Sequence, residues 1–133
     1  MNEAAAEFDQ AERSLRSAKI LLADGDGNGA MNRLYYALYH AVRGALIHRR
    51  IALPKSHSGL IAVFGAQFVK PGEISPTLGK LLNQVEHERL SADYSGDTID
   101  AASLPNLIAQ AEMFIAALQA LTNPPPNSGS AEG

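Results

Sequence analysis

Cysteine and tryptophan are both absent from this 133-residue chain, and aromatic residues make up only 6% of it. Without cysteine there is no disulfide framework, no thiolate zinc site and no cysteine nucleophile, so a reducing, cytoplasmic setting is expected. Long apolar runs are missing as well. The start, Met1-Asn2-Glu3, is acidic where a signal peptide would be basic and then apolar, and no membrane span is expected. Strand-like alternation and internal repeats are also lacking, which leaves helical periodicity as the organising signal.

The most telling absence is local. All 14 acidic residues lie at or before Asp26 or at or after Glu73, so residues 27–72 contain none. That stretch carries Arg33, Arg43, Arg49, Arg50, Lys55 and Lys70, a charge of +6, between segments of −3 and −6. The whole-chain charge of −3 conceals a basic middle. Charge distribution bears on partners rather than on fold, and here it points to an anionic ligand such as RNA or a nucleotide.

Apolar spacing defines five helical segments. In the first, Ala4, Phe8, Ala11, Leu15, Ala18 and Leu22 recur at steps of four and three, with Glu3, Glu7, Gln10 and Arg13 on the other side. The run Asp24-Gly-Asp-Gly-Asn-Gly29 predicts a helix end and a turn. A second helix, from about Ala30 to Arg49, is apolar around most of its circumference and is therefore central. Ser56 is the expected N-cap of a short third helix with Leu60, Ile61, Phe64 and Phe68, ended by Pro71-Gly72. Ser75-Pro76 opens a fourth, with Leu78, Leu81, Leu82 and Val85. The fifth carries Leu104, Leu107, Ile108, Ala111, Phe114, Ile115 and Leu118, with Ser103 as a cap because Pro105 fits only a first turn. The fold class is all-α: an up-and-down bundle of four long helices plus one short one over residues 1–122, followed by a Pro/Gly/Ser-rich disordered tail, 123–133.

One polar stripe interrupts the apolar surface of the second helix. Arg33, Tyr36, His40 and Arg43 follow at steps of three, four and three, with Tyr35 and Tyr39 as an aromatic row beside them. Arg33 and His40 are separated by roughly 10 Å along the axis at 1.5 Å per residue, so together they suit one extended ligand. Such a stripe is either a hydrogen-bonded seam under a neighbouring helix or a ligand site, and residue type alone leaves both open. Near the end of the fourth helix, Glu86-His87-Glu88-Arg89 is followed by Asp93-Tyr94. Adjacent Glu86, His87 and Glu88 point in different directions, which argues against a metal site; His87 suits a helix C-terminus, and Arg89 can pair with Asp93 at i+4. Arg49 and Arg50 read as C-terminal charges complementing the dipole of the second helix. No metal and no cofactor is expected.

The block Asn32-Arg-Leu-Tyr-Tyr-Ala-Leu-Tyr-His-Ala-Val-Arg-Gly-Ala-Leu-Ile47 resembles the second helix of the HEPN family, in its branch of small stand-alone prokaryotic proteins. Two further blocks, His57 to Lys70 and Arg89-Leu-Ser-Ala-Asp-Tyr94, are similar to that branch's next two, in the same order. The resemblance implies a helical bundle that forms a homodimer, beside a minimal nucleotidyltransferase with which it makes a toxin–antitoxin-like pair. In members that are ribonucleases it also implies a metal-independent Arg and His pair four to six residues apart, the His moving the 2′-hydroxyl proton and the Arg stabilising phosphate charge. Here Arg89 is present, but no His follows it anywhere in the chain. Three expectations follow: a nucleotide- or RNA-binding component without cleavage, an endoribonuclease in which Arg33, His40 and Arg89 form the catalytic set, or a non-catalytic dimeric interaction module. Tyr36, Arg43, Lys55, His57 and Tyr94 are the expected ligand-binding residues, Tyr94 also being the candidate for modification by the partner.

Overall fold

The computed structural model describes residues 3–95 and 101–122, the side chains of residues 92–95 and 101 excepted. The expected tail, 123–133, and the side chain of Tyr94 lie outside the described residues. Within them are helices α1 (Glu3–Ala23), α2 (Gly27–His48), α3 (His57–Phe64), α4 (Pro76–Ser95) and α5 (Leu104–Thr122), and no strand. The all-α bundle expected from periodicity is the fold.

Why α2 lies at the centre follows from its composition. Ala30, Met31, Leu34, Tyr35, Ala37, Leu38, Ala41, Val42, Ala45 and Leu46 are all buried, and the helix packs against α1, α3, α4 and α5. Small residues let α1 approach closely: a Cβ added to Gly44 would stand 2.9 Å from the Phe8 ring and 3.2 Å from the carbonyl of Ala4. The early part of α1 thus lies against the late part of α2, so the two helices are antiparallel. The one described helix long and apolar enough to cross a membrane, α5, instead turns Leu104, Leu107, Ala111, Phe114, Ile115 and Leu118 into this core.

The chain between helices is shaped by hydrogen bonds that local residues supply. Gly25, at φ +85°, ends α1, and the amides of Gly25 and Asp26 donate to the carbonyls of Leu22 and Leu21. The helix α2 then begins three residues earlier than spacing suggested, because the Asp26 carboxylate accepts from the Gly29 amide at 2.8 Å. Gly27 and Gly29 are therefore helical, and only Gly25 makes the turn. Ser56 and Ser75 cap α3 and α4 as expected, accepting from the amides of Gly59 at 2.9 Å and Leu78 at 3.2 Å. An unforeseen feature follows α3: Gly65–Val69 continues it as a π-helical turn, with the Lys70 amide donating to the Gly65 carbonyl.

The two arginines at the end of α2 also take on separate roles. Arg49 makes a two-pronged pair with Glu73, Nη1 to Oε2 at 2.7 Å and Nη2 to Oε1, and its guanidinium covers the Phe68 ring at 4.4 Å. It therefore ties the end of α2 to the loop before α4. Arg50 occupies the left-handed region at φ 60°, where the chain reverses out of the helix.

Candidate functional site

Three tyrosines one helical turn or less apart on α2 form the floor. The Tyr35 and Tyr36 rings meet edge to face at 5.2 Å, Tyr36 and Tyr39 at 5.6 Å, and Tyr35 lies 6.1 Å from Tyr39. Tyr35 is wholly buried, whereas Tyr36 and Tyr39 are half-buried at the surface.

Cations from two helices close over this floor. Arg33 of α2 lies 5.1 Å from the Tyr36 ring centre, and Arg89 of α4 lies 5.9 Å from the same ring and 4.6 Å from Tyr35. Arg43 covers Tyr39 at 5.5 Å. A guanidinium at these distances is attracted by the ring's electron-rich face. Two imidazoles join them: His40 is 5.3 Å from the Tyr39 ring and 6.5 Å from Tyr36, while His57, the first residue of α3, is 5.1 Å from Tyr39, 6.2 Å from Tyr36 and 5.3 Å from Tyr35.

Two carboxylates, neither expected here, complete the cluster. Glu7 of α1 accepts from both His40 Nδ1, at 2.7 Å, and Arg43 Nε, at 3.0 Å. Glu86 of α4 accepts from Nε and Nη2 of Arg89 at 3.1 and 2.8 Å, and its other oxygen lies 3.7 Å from His57 Nδ1. Arg89 thus takes the carboxylate three residues before it; the side chain of Asp93, the expected partner at i+4, lies outside the described residues. Arg33 differs from the other two arginines, since its hydrogen bond goes to the neutral side chain of Asn32, at 3.0 Å.

The electrostatics follow from this packing. Burial pulls the Arg89 guanidinium down, but the hydrogen bond and charge of Glu86, helped by Tyr36 and Tyr35, outweigh it and hold Arg89 above its ordinary range. Arg43 is raised in the same way, burial being outweighed by Glu7 and Tyr39. Burial, reinforced by the Glu86 charge, pushes the Tyr35 phenol far up, so it is a neutral hydroxyl at any ordinary pH.

Of the residues expected from sequence, Arg33, Tyr36, His40, Arg43, His57 and Arg89 are therefore gathered around one row of rings. Lys55 is exposed and makes none of these contacts, and His87 is also exposed, several residues before the end of α4. Among the described residues no three His, Asp or Glu side chains gather as a metal site requires. Glu7 and Glu86 escaped sequence reasoning although a signal was present. Glu7, expected on the polar side of α1, instead borders the apolar stripe and turns toward α2, since it sits three residues after Ala4 and four before Ala11; Glu86, four after Leu82, likewise borders the stripe of α4.

Two cavities, of about 360 and 330 Å³, lie away from the tyrosine row: one lined by Asp9, Glu12 and His48 at the start of α1, the other by Phe64, Lys70 and Lys80 beside the π-helical turn. The tyrosine row is suited to a ligand that lies along it, with phosphates on the arginines and bases against the rings.

An all-α bundle whose central helix carries an Asn-Arg/Tyr/His/Arg stripe, met by an arginine from the fourth helix, defines a class of small helical proteins. This chain belongs to the HEPN domain family, which it matches over residues 5–121. It is similar to "Putative toxin MJ0605" of Methanocaldococcus jannaschii, 34% identical over 105 residues that cover 79% of this chain and 78% of the relative. A UPF0332 protein of Thermotoga maritima is 34% identical over 114 residues, 84% of this chain and 85% of that one. Another UPF0332 protein, from Gloeobacter violaceus, is 31% identical over 81% of this chain and 86% of its own length.

Proposed function

We propose that this HEPN protein binds RNA or a nucleotide along the tyrosine row, as the homodimeric component of a toxin–antitoxin-like pair whose other member is a minimal nucleotidyltransferase. One observation carries the reading: Arg33 and Arg89, from different helices, converge on the ring of Tyr36. Two guanidiniums offer fixed, planar donors to phosphate, and the ring between them offers a base-stacking surface. The acid-free run of residues 27–72 supports it by biasing the surrounding surface toward anions. The name of the Methanocaldococcus jannaschii relative supports the toxin setting.

Equilibrium binding of a labelled single-stranded RNA, and of AMP, at low salt tests this. Arg33→Ala is expected to weaken binding by about tenfold or more, the worth of a hydrogen bond to a charged group. The affinity of the RNA should fall with salt, with a log–log slope of about −0.7 for each phosphate contact. Wild-type affinity in Arg33→Ala, or no binding at low salt, overturns the reading.

A second reading, metal-independent RNA cleavage, is favoured by the two imidazoles against Tyr39. Either can accept the 2′-hydroxyl proton while Arg89 stabilises the phosphate. Cleavage of single-stranded and structured RNA by wild type, His40→Ala, His57→Ala and Arg89→Ala decides it. Loss in Arg89→Ala and in one histidine variant supports cleavage, and equal residual cleavage in all four rejects it.

A further inference from the structure

The site is chemically doubled. From one side Glu7, on α1, holds one histidine and one arginine, His40 and Arg43; from the other Glu86, on α4, does the same with His57 and Arg89. The two sets meet at the Tyr39 ring, where the two imidazoles stand at nearly equal distance. The carboxylates are well shielded, with side chains 16% and 15% exposed. A shielded carboxylate in the fork of a guanidinium takes the position that a phosphate oxygen would take.

We propose that Glu7 and Glu86 determine the specificity of this site: each is an internal counter-anion that a ligand must outcompete for Arg43 and Arg89. This rests on the ligand-binding reading above and extends it. Arg33, whose partner is the neutral Asn32, is the point of first contact. A neutral nucleoside cannot displace either carboxylate, and a ligand with two or more phosphate charges can. The ligand class is therefore polyanionic, an oligonucleotide or a nucleoside polyphosphate, rather than a nucleoside or a carboxylate.

Binding of adenosine, ATP and a single-stranded RNA hexamer to the full chain is measured at low salt and pH 8. The proteins are wild type, Glu7→Gln, Glu86→Gln and the double variant, each checked for helical content. Glutamine keeps the acceptor oxygen and removes the charge. Each substitution is expected to tighten binding of ATP and of the hexamer by about tenfold, the effect of a unit charge about 10 Å away near a protein surface. Adenosine gains nothing. Should a variant fail to fold, the wild-type comparison alone still decides: ATP and the hexamer must bind more tightly than adenosine. Wild type that binds adenosine as tightly as ATP, or folded variants that bind ATP and the hexamer no better, overturns the inference while the binding reading stands. Absence of binding by every protein overturns both.

Discussion

Tyr35 carries a hydroxyl that is fully buried and has no hydrogen-bond partner among the described residues. A buried unpaired hydroxyl costs about 1–3 kcal/mol. Its ring contributes independently, as the surface under Arg89 and beside His57. Tyr35→Phe, which keeps the ring, is therefore expected to stabilise the protein by about 1 kcal/mol, read from the shift of the urea midpoint at unchanged slope. The same burial holds the phenol neutral, so its folded-state pKa lies above its unfolded one, and the stability linked to it is present below the ordinary tyrosine range and lost as pH rises. In an alkaline ultraviolet titration of the four tyrosines Tyr35 should be the last to ionise, becoming accessible only as the fold gives way. Residue type alone shows none of this, because Tyr35, Tyr36 and Tyr39 differ in which way their rings face rather than in chemistry.

The helices themselves follow from residue order, and two positions show how firmly. Asp26 caps α2 through the Gly29 amide, and Asp26→Ala is expected to cost about 1 kcal/mol in thermal or chemical denaturation, with helical content otherwise kept. Gly44 is different, since its requirement comes from another helix: a methyl there would press on the Phe8 ring and the Ala4 carbonyl. Helix propensity favours Gly44→Ala by up to about 1 kcal/mol, and overpacking opposes it by about 1–3 kcal/mol. The expected net effect is destabilisation, checked in the same denaturation experiment. Apolar spacing, Ser56, Ser75 and Pro76 were enough to place α3 and α4, because caps and breakers act over three or four residues. The π-helical turn at Gly65–Val69 was not legible, since nothing in its composition departs from an α-helical pattern. Nor was the start of α2 at Gly27, where a local cap overrode the usual meaning of glycine.

At the scale of the molecule, charges far apart in sequence are brought to one another. Arg49 and Glu73 tie α2 to the loop before α4, and the Arg49 hydrogen bond holds the Glu73 carboxyl below its ordinary range. A group lowered in this way contributes stability above its unfolded pKa and loses it as pH falls through the folded one. Glu73→Gln should therefore melt at a lower temperature than wild type at neutral pH, and the gap should close below about pH 4. A constant gap across that range would show that charge is not the cause. The tyrosine site belongs to this scale too. Its α2 members were visible as a stripe at helical spacing, and Arg89 as a family signature. The convergence of His57, Glu86 and Glu7 on that stripe was not visible, because it depends on how α1, α3 and α4 are placed around α2.

Helical class, helix positions, the central role of α2 and the basic character of residues 27–72 were already dictated by residue order, because periodicity, capping and charge act within a few residues along the chain. How the stripe on α2 is partnered was decided only by packing: Glu7 and Glu86 form a hydrogen-bonded seam with Arg43 and Arg89, while Arg33 and the Tyr36 and Tyr39 rings stay partly exposed, where the proposed ligand would lie. Interactions between groups tens of residues apart are set by the mutual placement of helices, and that placement is a property of the whole core.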